Sequence, residues 1–149
     1  MSSPRKLVLD ANILLRAVFG NKVYILMKQY EDMAEFYAPD ICIEEARRHI
    51  PSIAARRRVP PAKAEAILKE VVGGFVHIVD CSLYEEFEER ARARISSRDA
   101  DDWPVVATAL LIDAPIWTED QDFFGSGIAT WTSITVELYL RDIERTSGF

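Results

Sequence analysis

The chain has 149 residues, which is the size of one domain with a core of useful extent. Its 49% apolar and 28% charged residues exclude a disordered chain. A net charge of −6 excludes a protein that coats nucleic acid through its overall charge, though not one that contacts it locally.

Residues 6–9 predict a short buried central strand that ends at Asp10-Ala11-Asn12, with a helix opening at about Asn12. Residues 22–33 carry apolar side chains at helical spacing. Val23, Ile25 and Leu26 among them read as core first and as a dimer or partner surface second. Residues 36–38 predict a second strand, closed by Pro39. Asp40 then suits a helix N-cap, with Glu44 near the first turn where a carboxylate matches the helix dipole. Pro51 should kink or end this helix at about Ile50, leaving 52–58 as a separate helix. Pro60-Pro61 open a helix over 62–72 that Gly73-Gly74 should stop.

Residues 75–79 predict a third strand. Residues 85–95 predict a helix with Phe87, Ala91 and Ile95 at spacing four, and 96–101 a polar turn. Pro104 sits where a first-turn proline is tolerated, in an apolar helix that runs to about Ile112. Residues 116–118 and 128–132 predict the fourth and fifth strands, and Ser133 caps a last helix that reaches about Glu144. The longest uncharged apolar run, 105–112, is far short of the roughly 20 residues that span a bilayer, and no signal-type stretch precedes Asp10. The expected compartment is the cytoplasm, with no membrane partner.

Strands alternating with helices predict an α/β domain over 1–149 with a mostly parallel sheet of about five strands, covered on both faces. Sites in such sheets form beyond the carboxyl ends of the strands, where the strand order reverses. Asp10 follows strand one and Asp120 follows strand four. If those strands are neighbours there, the two carboxylates face each other across one crevice.

The acids cluster at the mouths of elements: Asp10, the pair Glu44/Glu45, Asp99 with Asp101 and Asp102, and Asp120 with Asp122. Each cluster alone has a structural explanation as a cap, a solvated first turn or a loop. Together they suit a hard divalent cation such as magnesium, which takes oxygen ligands and neutralises converging carboxylates. No glycine-rich phosphate loop or Gly-x-Ser-x-Gly nucleophile elbow competes. The two cysteines, Cys42 and Cys81, have neither metal nor redox spacing and read as buried structural residues, and two histidines are few for zinc. Basic residues gather at 47–49, at 56–58 with Lys63, and at Arg90, Arg92, Arg94 and Arg98; each cluster alone reads equally as a solvated helix face.

Four stretches carry a resemblance when taken in order: Leu7-Val-Leu-Asp10-Ala-Asn12-Ile13, Ala38-Pro-Asp-Ile-Cys-Ile-Glu-Glu45-Ala-Arg-Arg-His49, Asp99-Ala-Asp-Asp102-Trp-Pro-Val-Val-Ala-Thr-Ala109 and Ile116-Trp-Thr118-Glu-Asp120-Gln-Asp122-Phe123. The set resembles a PIN domain, a family that includes the VapC toxins of toxin–antitoxin pairs. The resemblance implies a three-layer α/β/α sandwich and a Mg²⁺- or Mn²⁺-dependent ribonuclease. It implies Asp10, Glu45, Asp102 and Asp120 as catalytic and metal-holding acids, with Asp99 and Asp122 as further metal candidates. Glu45 is preferred over Glu44 because Ala46 and then Arg47-Arg48-His49 follow it. Asn12 and Thr118 take the place of polar supports that orient the carboxylates. Arg47, Arg48 and Arg98, near the acid mouth, would hold the RNA backbone. The partners implied are RNA, an antitoxin protein and a second copy of the chain. Pro51, and Trp103 beside Asp102, depart from the commonest pattern; Trp103 reads as core ahead of a platform for a splayed base.

Two rivals belong to other classes. One is a PIN-like scaffold that binds RNA or protein without cutting. The other is a phosphatase or phospho-receiver on a similar sheet, for which Asn12 stands where a second aspartate is wanted. Asp80 could serve the receiver, but no lysine lies near residues 128–133.

Overall fold

The computed structural model describes residues 3–95 and 97–147, and the side chains of 97–99 and 142–147 lie outside that description. Five strands, β1 (Arg5–Leu9), β2 (Ala34–Pro39), β3 (Val76–Val79), β4 (Ile116–Trp117) and β5 (Thr130–Trp131), form one parallel sheet in the order β3-β2-β1-β4-β5. The order reverses between β1 and β4, which pair through Val8 with Ile116 and Leu9 with Trp117. Leu7, Val8 and Leu9 are fully buried, as a central strand covered on both faces requires.

The helices α1 (Ala11–Phe19), α2 (Lys22–Gln29), α3 (Asp40–Arg57) and α4 (Pro61–Phe75) pack on one another as one layer. The opposite layer holds α5 (Cys81–Tyr84), a 3-10 turn at Glu85–Phe87, α6 (Glu88–Arg94) and α7 (Trp103–Ile112). α7 is apolar on every side, as a helix pressed between neighbours should be, and it packs on β1 and β2. A last helix, α8 (Val136–Ser147), buries Val136 and Leu140 and ties its Tyr139 hydroxyl to the Lys6 carbonyl at 3.0 Å.

Several expected breaks are absent. α3 runs unbroken through Pro51. Pro51 is exposed, so the Arg47 carbonyl that loses its amide partner faces water, while Ile50 and Ala54 on the core side hold both halves of the helix in place. The helix ends at Arg58, whose left-handed backbone caps it onto the Ala54 and Ala55 carbonyls. α4 likewise continues through Gly73-Gly74, because buried Val71 and the edge-on packing of Tyr24 against Phe75 at 5.7 Å outweigh roughly 1 kcal/mol of lost helix propensity per glycine. Strand β3 therefore begins at Val76. α2 stops at Gln29, short of the expected Met33, and β2 begins at Ala34.

The predicted helix over 85–95 opens as the 3-10 turn Glu85–Phe87 and is α-helical only over Glu88–Arg94, and the predicted polar turn before α7 is a 3-10 helix at Ser97–Asp102. β5 is only Thr130–Trp131. α8 starts at Val136 and not after Ser133, whose hydroxyl instead accepts the Trp117 indole N–H at 3.2 Å. Val23 and Leu26 are core, and Ile25 is exposed. Cys42 is buried, whereas Cys81 is only half-buried; both are free thiols. Asp40 does more than cap. Its carboxylate accepts the Tyr84 hydroxyl at 2.7 Å and the Cys81 amide at 3.0 Å, which ties the start of α3 to α5.

Candidate metal centre

β1 delivers Asp10 to the sheet's carboxyl edge, and the chain turns there at once into α1. Asp10 Oδ1 accepts the Ile13 amide at 3.0 Å and caps the helix. Its Oδ2 accepts the hydroxyl of Thr118, the first residue after β4. Thr118 Oγ1 in turn accepts the Asp120 amide at 2.9 Å, and the Asp120 carboxylate accepts the Asp122 amide at 2.9 Å. One buried hydroxyl therefore ties the Asp10 carboxylate to the backbone of Asp120, across the two strands that flank the reversal in strand order.

Asp10 is 6% exposed. Burial pushes its carboxyl up to about 6; the Thr118 and Ile13 hydrogen bonds oppose the shift, and the charges of Asp120 and Glu45 add to it. The Cys42 thiol beside it is pushed well above the usual thiol range, first by burial and then by Asp10, Glu45 and Asp102. It is a neutral wall of the site and no nucleophile. Four carboxylates thus act electrostatically on one small region.

They line a cavity of about 490 Å³ together with Asp101. Cys81, Tyr84 and Trp103 form a wall, in which Tyr84 meets Trp103 edge-on at 5.6 Å and the Arg92 guanidinium lies 5.4 Å from the Trp103 ring centre. Trp103 is half-buried, so it is both packed and open to the cavity. Asn12 stands exposed at the mouth. Glu45 lines the cavity and Glu44 does not; Arg48 and His49 line it and Arg47 does not. The helical period explains this division, since positions 41, 45 and 49 share one face of α3. Asp122 is half-buried and does not line the cavity. The side chains of Asp99 and Arg98 lie outside the described residues. Asp80 caps α5 beyond β3, an edge strand two places from β1, far from a receiver's position at the centre of the sheet.

Asp101, His49, Tyr84 and Cys81 also line the cavity; the sequence places Asp101 and His49 in charged clusters without singling them out as site residues. The close run of aspartates before α7 and the spacing of four from Glu45 to His49 were available signals. Cys81 and Tyr84 arrive from the opposite layer and carry none.

Among the described residues, no three acid, histidine or cysteine side chains are gathered tightly enough to enclose an ion. Asp10, Glu45, Asp102 and Asp120 nonetheless bring hard oxygens to one cavity, and the charges of Glu45 and Asp120 bear on the buried Asp10 carboxylate. That chemistry fits magnesium or manganese held by a few carboxylates with water completing the shell. Thr118→Val keeps the side chain's shape and removes its hydroxyl, so Asp10 loses a donor and Asp120 loses the acceptor of its amide. Mn²⁺ affinity by calorimetry is expected to fall about ten- to a hundredfold; an unchanged affinity would show that this hydroxyl orients nothing.

The fold and the crevice define a doubly wound α/β domain with an acid site at its strand reversal. A family model described as PIN domain matches residues 8–141, and the chain belongs to that family. None of the curated proteins matches its sequence. Among solved structures it is similar to PAE2754 from Pyrobaculum aerophilum, with a TM-score of 0.68 and 19% identity over 95% of this chain and 90% of that one. It is also similar to VapBC2 from Rickettsia felis, solved bound to a DNA fragment from their promoter, with a TM-score of 0.62 and 13% identity over 85% and 98%. FitAcB from Neisseria gonorrhoeae gives 0.54 and 19% over 86% and 98%. At these identities the likeness is one of fold.

Proposed function

We propose that the chain is a single-domain, metal-dependent endoribonuclease and the toxin of a toxin–antitoxin pair, acting in the cytoplasm. The observation that carries the reading is the buried Asp10 carboxylate, tied through Thr118 to the backbone of Asp120 at the strand reversal, with the charges of Asp120 and Glu45 bearing on it. Family membership and the VapC resemblance support it. Likeness of fold to VapBC2 supports an antitoxin protein as partner; a second copy of the chain is the other partner of this reading.

Mg²⁺ or Mn²⁺ would be held by Asp10, Glu45, Asp102 and Asp120, with Asp99 and Asp122 as outer candidates. When bound it supplies charge stabilisation for the phosphoryl oxygens and a lowered water pKa. Thr118 and the Ile13 amide fix the Asp10 carboxylate in one orientation. Asn12 offers an amide, and Arg48 a cation, at the mouth where a phosphate would enter. Arg47 and Arg98 remain candidates for contacts further along the backbone. Hydrolysis adds water at phosphorus and breaks its bond to the 3′ oxygen, which leaves with a proton; the products are a 5′-phosphate and a 3′-hydroxyl.

The test is cleavage of a mixed structured RNA in Mg²⁺, in Mn²⁺ and in EDTA, with end-labelling of the products. Cutting is expected in either metal and none in EDTA. A folded protein that neither cuts RNA nor binds Mn²⁺ by calorimetry would instead be a scaffold.

A further inference from the structure

A second cavity, of about 540 Å³, shares Asn12 with the acid cavity and lies where α1, α2 and the second half of α3 meet. Its charge is opposite. Arg16, Lys22, Arg56 and Arg57 line it, and Glu119 is the one acid that does so among the described residues. Glu119 is already engaged, since its carboxylate accepts the Ser133 amide at 2.6 Å. Arg57 is held in place, with a guanidinium N–H 3.4 Å from the Phe19 carbonyl and its centre 6.0 Å from the Phe19 ring. Among the described residues, Arg16, Lys22 and Arg56 have no carboxylate partner. Three such cations lining one cleft, in a chain of net charge −6, give it a local positive field against the overall charge.

The unbroken α3 links the two cavities. Glu45 and His49 line the acid cavity, Ile53 and Arg56 line the basic one, and these positions follow one another along one helix face. The rise from Glu45 to Arg56 is about 16 Å. Phosphates repeat about every 3.4 Å of axis in a stacked strand, so a chain crossing from one cavity to the other passes several of them.

We propose that the second cavity is the track that grips the RNA backbone on one side of the cut, with Lys22, Arg56 and Arg16 as its phosphate contacts. This rests on the ribonuclease reading. A polyanion suits the cleft's charge, and a strand leaving the acid site at Asn12 enters it directly.

The test uses the full chain. Lys22→Ala/Arg56→Ala is compared with Lys28→Ala/Lys69→Ala, a pair that lines neither cavity. Binding of a fluorescent single-stranded RNA to Asp10→Asn versions is measured across KCl concentrations, and KM for cleavage is measured in the otherwise wild-type chain. The groove pair is expected to bind about tenfold more weakly, to flatten the slope of log affinity against log salt by about 0.7 per lost contact, and to raise KM, while its Mn²⁺ affinity and melting temperature stay those of the parent. Groove and control pairs that behave alike, in a wild type that cuts RNA, overturn the track and leave the nuclease standing. A chain that neither binds nor cuts RNA overturns both. If the groove pair keeps RNA binding but loses binding to a poly-glutamate peptide, the cleft belongs to an acidic protein partner and the track is again overturned.

Discussion

Asp10→Asn is expected to abolish RNA cleavage, a loss of at least about a thousandfold, while stabilising the metal-free protein at neutral pH. The amide has the carboxylate's shape, and its oxygen can still accept the Ile13 N–H that caps α1. What it removes is a charge that burial holds at unfavourable energy, since the carboxyl sits at about 6 against an ordinary 3.8. That difference corresponds to about 3 kcal/mol above pH 6, offset by about 1 kcal/mol for the altered bond to Thr118. Thermal melts in EDTA at pH 7.5, beside the cleavage assay, read both effects. Retained cleavage would remove Asp10 from the site, and a variant less stable than wild type in EDTA would refute the cost of the buried charge.

The second large effect is the pH dependence of the metal-free fold. A carboxyl whose folded pKa lies above its unfolded one binds its proton more tightly when folded. Stability from this group is therefore greatest below pH 3.8, declines between pH 3.8 and about 6, and stays at its lower level above that. The full difference is about 3 kcal/mol. Other carboxylates titrate in the same window, so the quantity to plot is wild type minus Asp10→Asn, from denaturant melts at pH 4 to 8 in EDTA. A difference curve that is flat across this range would refute the assignment. Saturating Mn²⁺ should raise wild-type stability at pH 7.5 and leave the asparagine variant nearly unmoved, because binding to the folded state alone stabilises it by mass action.

The sequence placed Asp10 after the first strand and Asp120 shortly after the fourth, because each strand is a short apolar run leading to acid; the pairing of β1 with β4 supplies the adjacency that the pattern left as a condition. Glu45 was separable from Glu44 by the residues that follow it, and the cavity admits Glu45 alone of the pair. The misses have a common cause. Pro51 and Gly73-Gly74 are local stop signals worth about 1 to 3 kcal/mol, and their effect depends on whether buried neighbours bridge them. Ile50, Ala54 and Val71 do so here, and their burial is a property of the packed layers that the local chain does not carry. The bond from Tyr84 to Asp40 spans 44 residues and two helical layers, so nothing near either residue announces it. Asp101 stood in the acid run but was not singled out, because a run of acids before a helix does not say which of them border a cavity.

The Thr118 hydroxyl that ties Asp10 to the backbone of Asp120 lies 108 residues from Asp10 in sequence. A nascent chain emerging from the ribosome acquires Asp10 and Glu45 early, but it has neither Thr118 nor Asp120, and no β4 beside β1, until residues 116–120 have been made. Products that end before residue 116 therefore lack Thr118 and Asp120, leave the β1 edge open and have no closed crevice. On the ribonuclease reading, fragments released before that point would lack the joined strand ends on which cutting is proposed to depend.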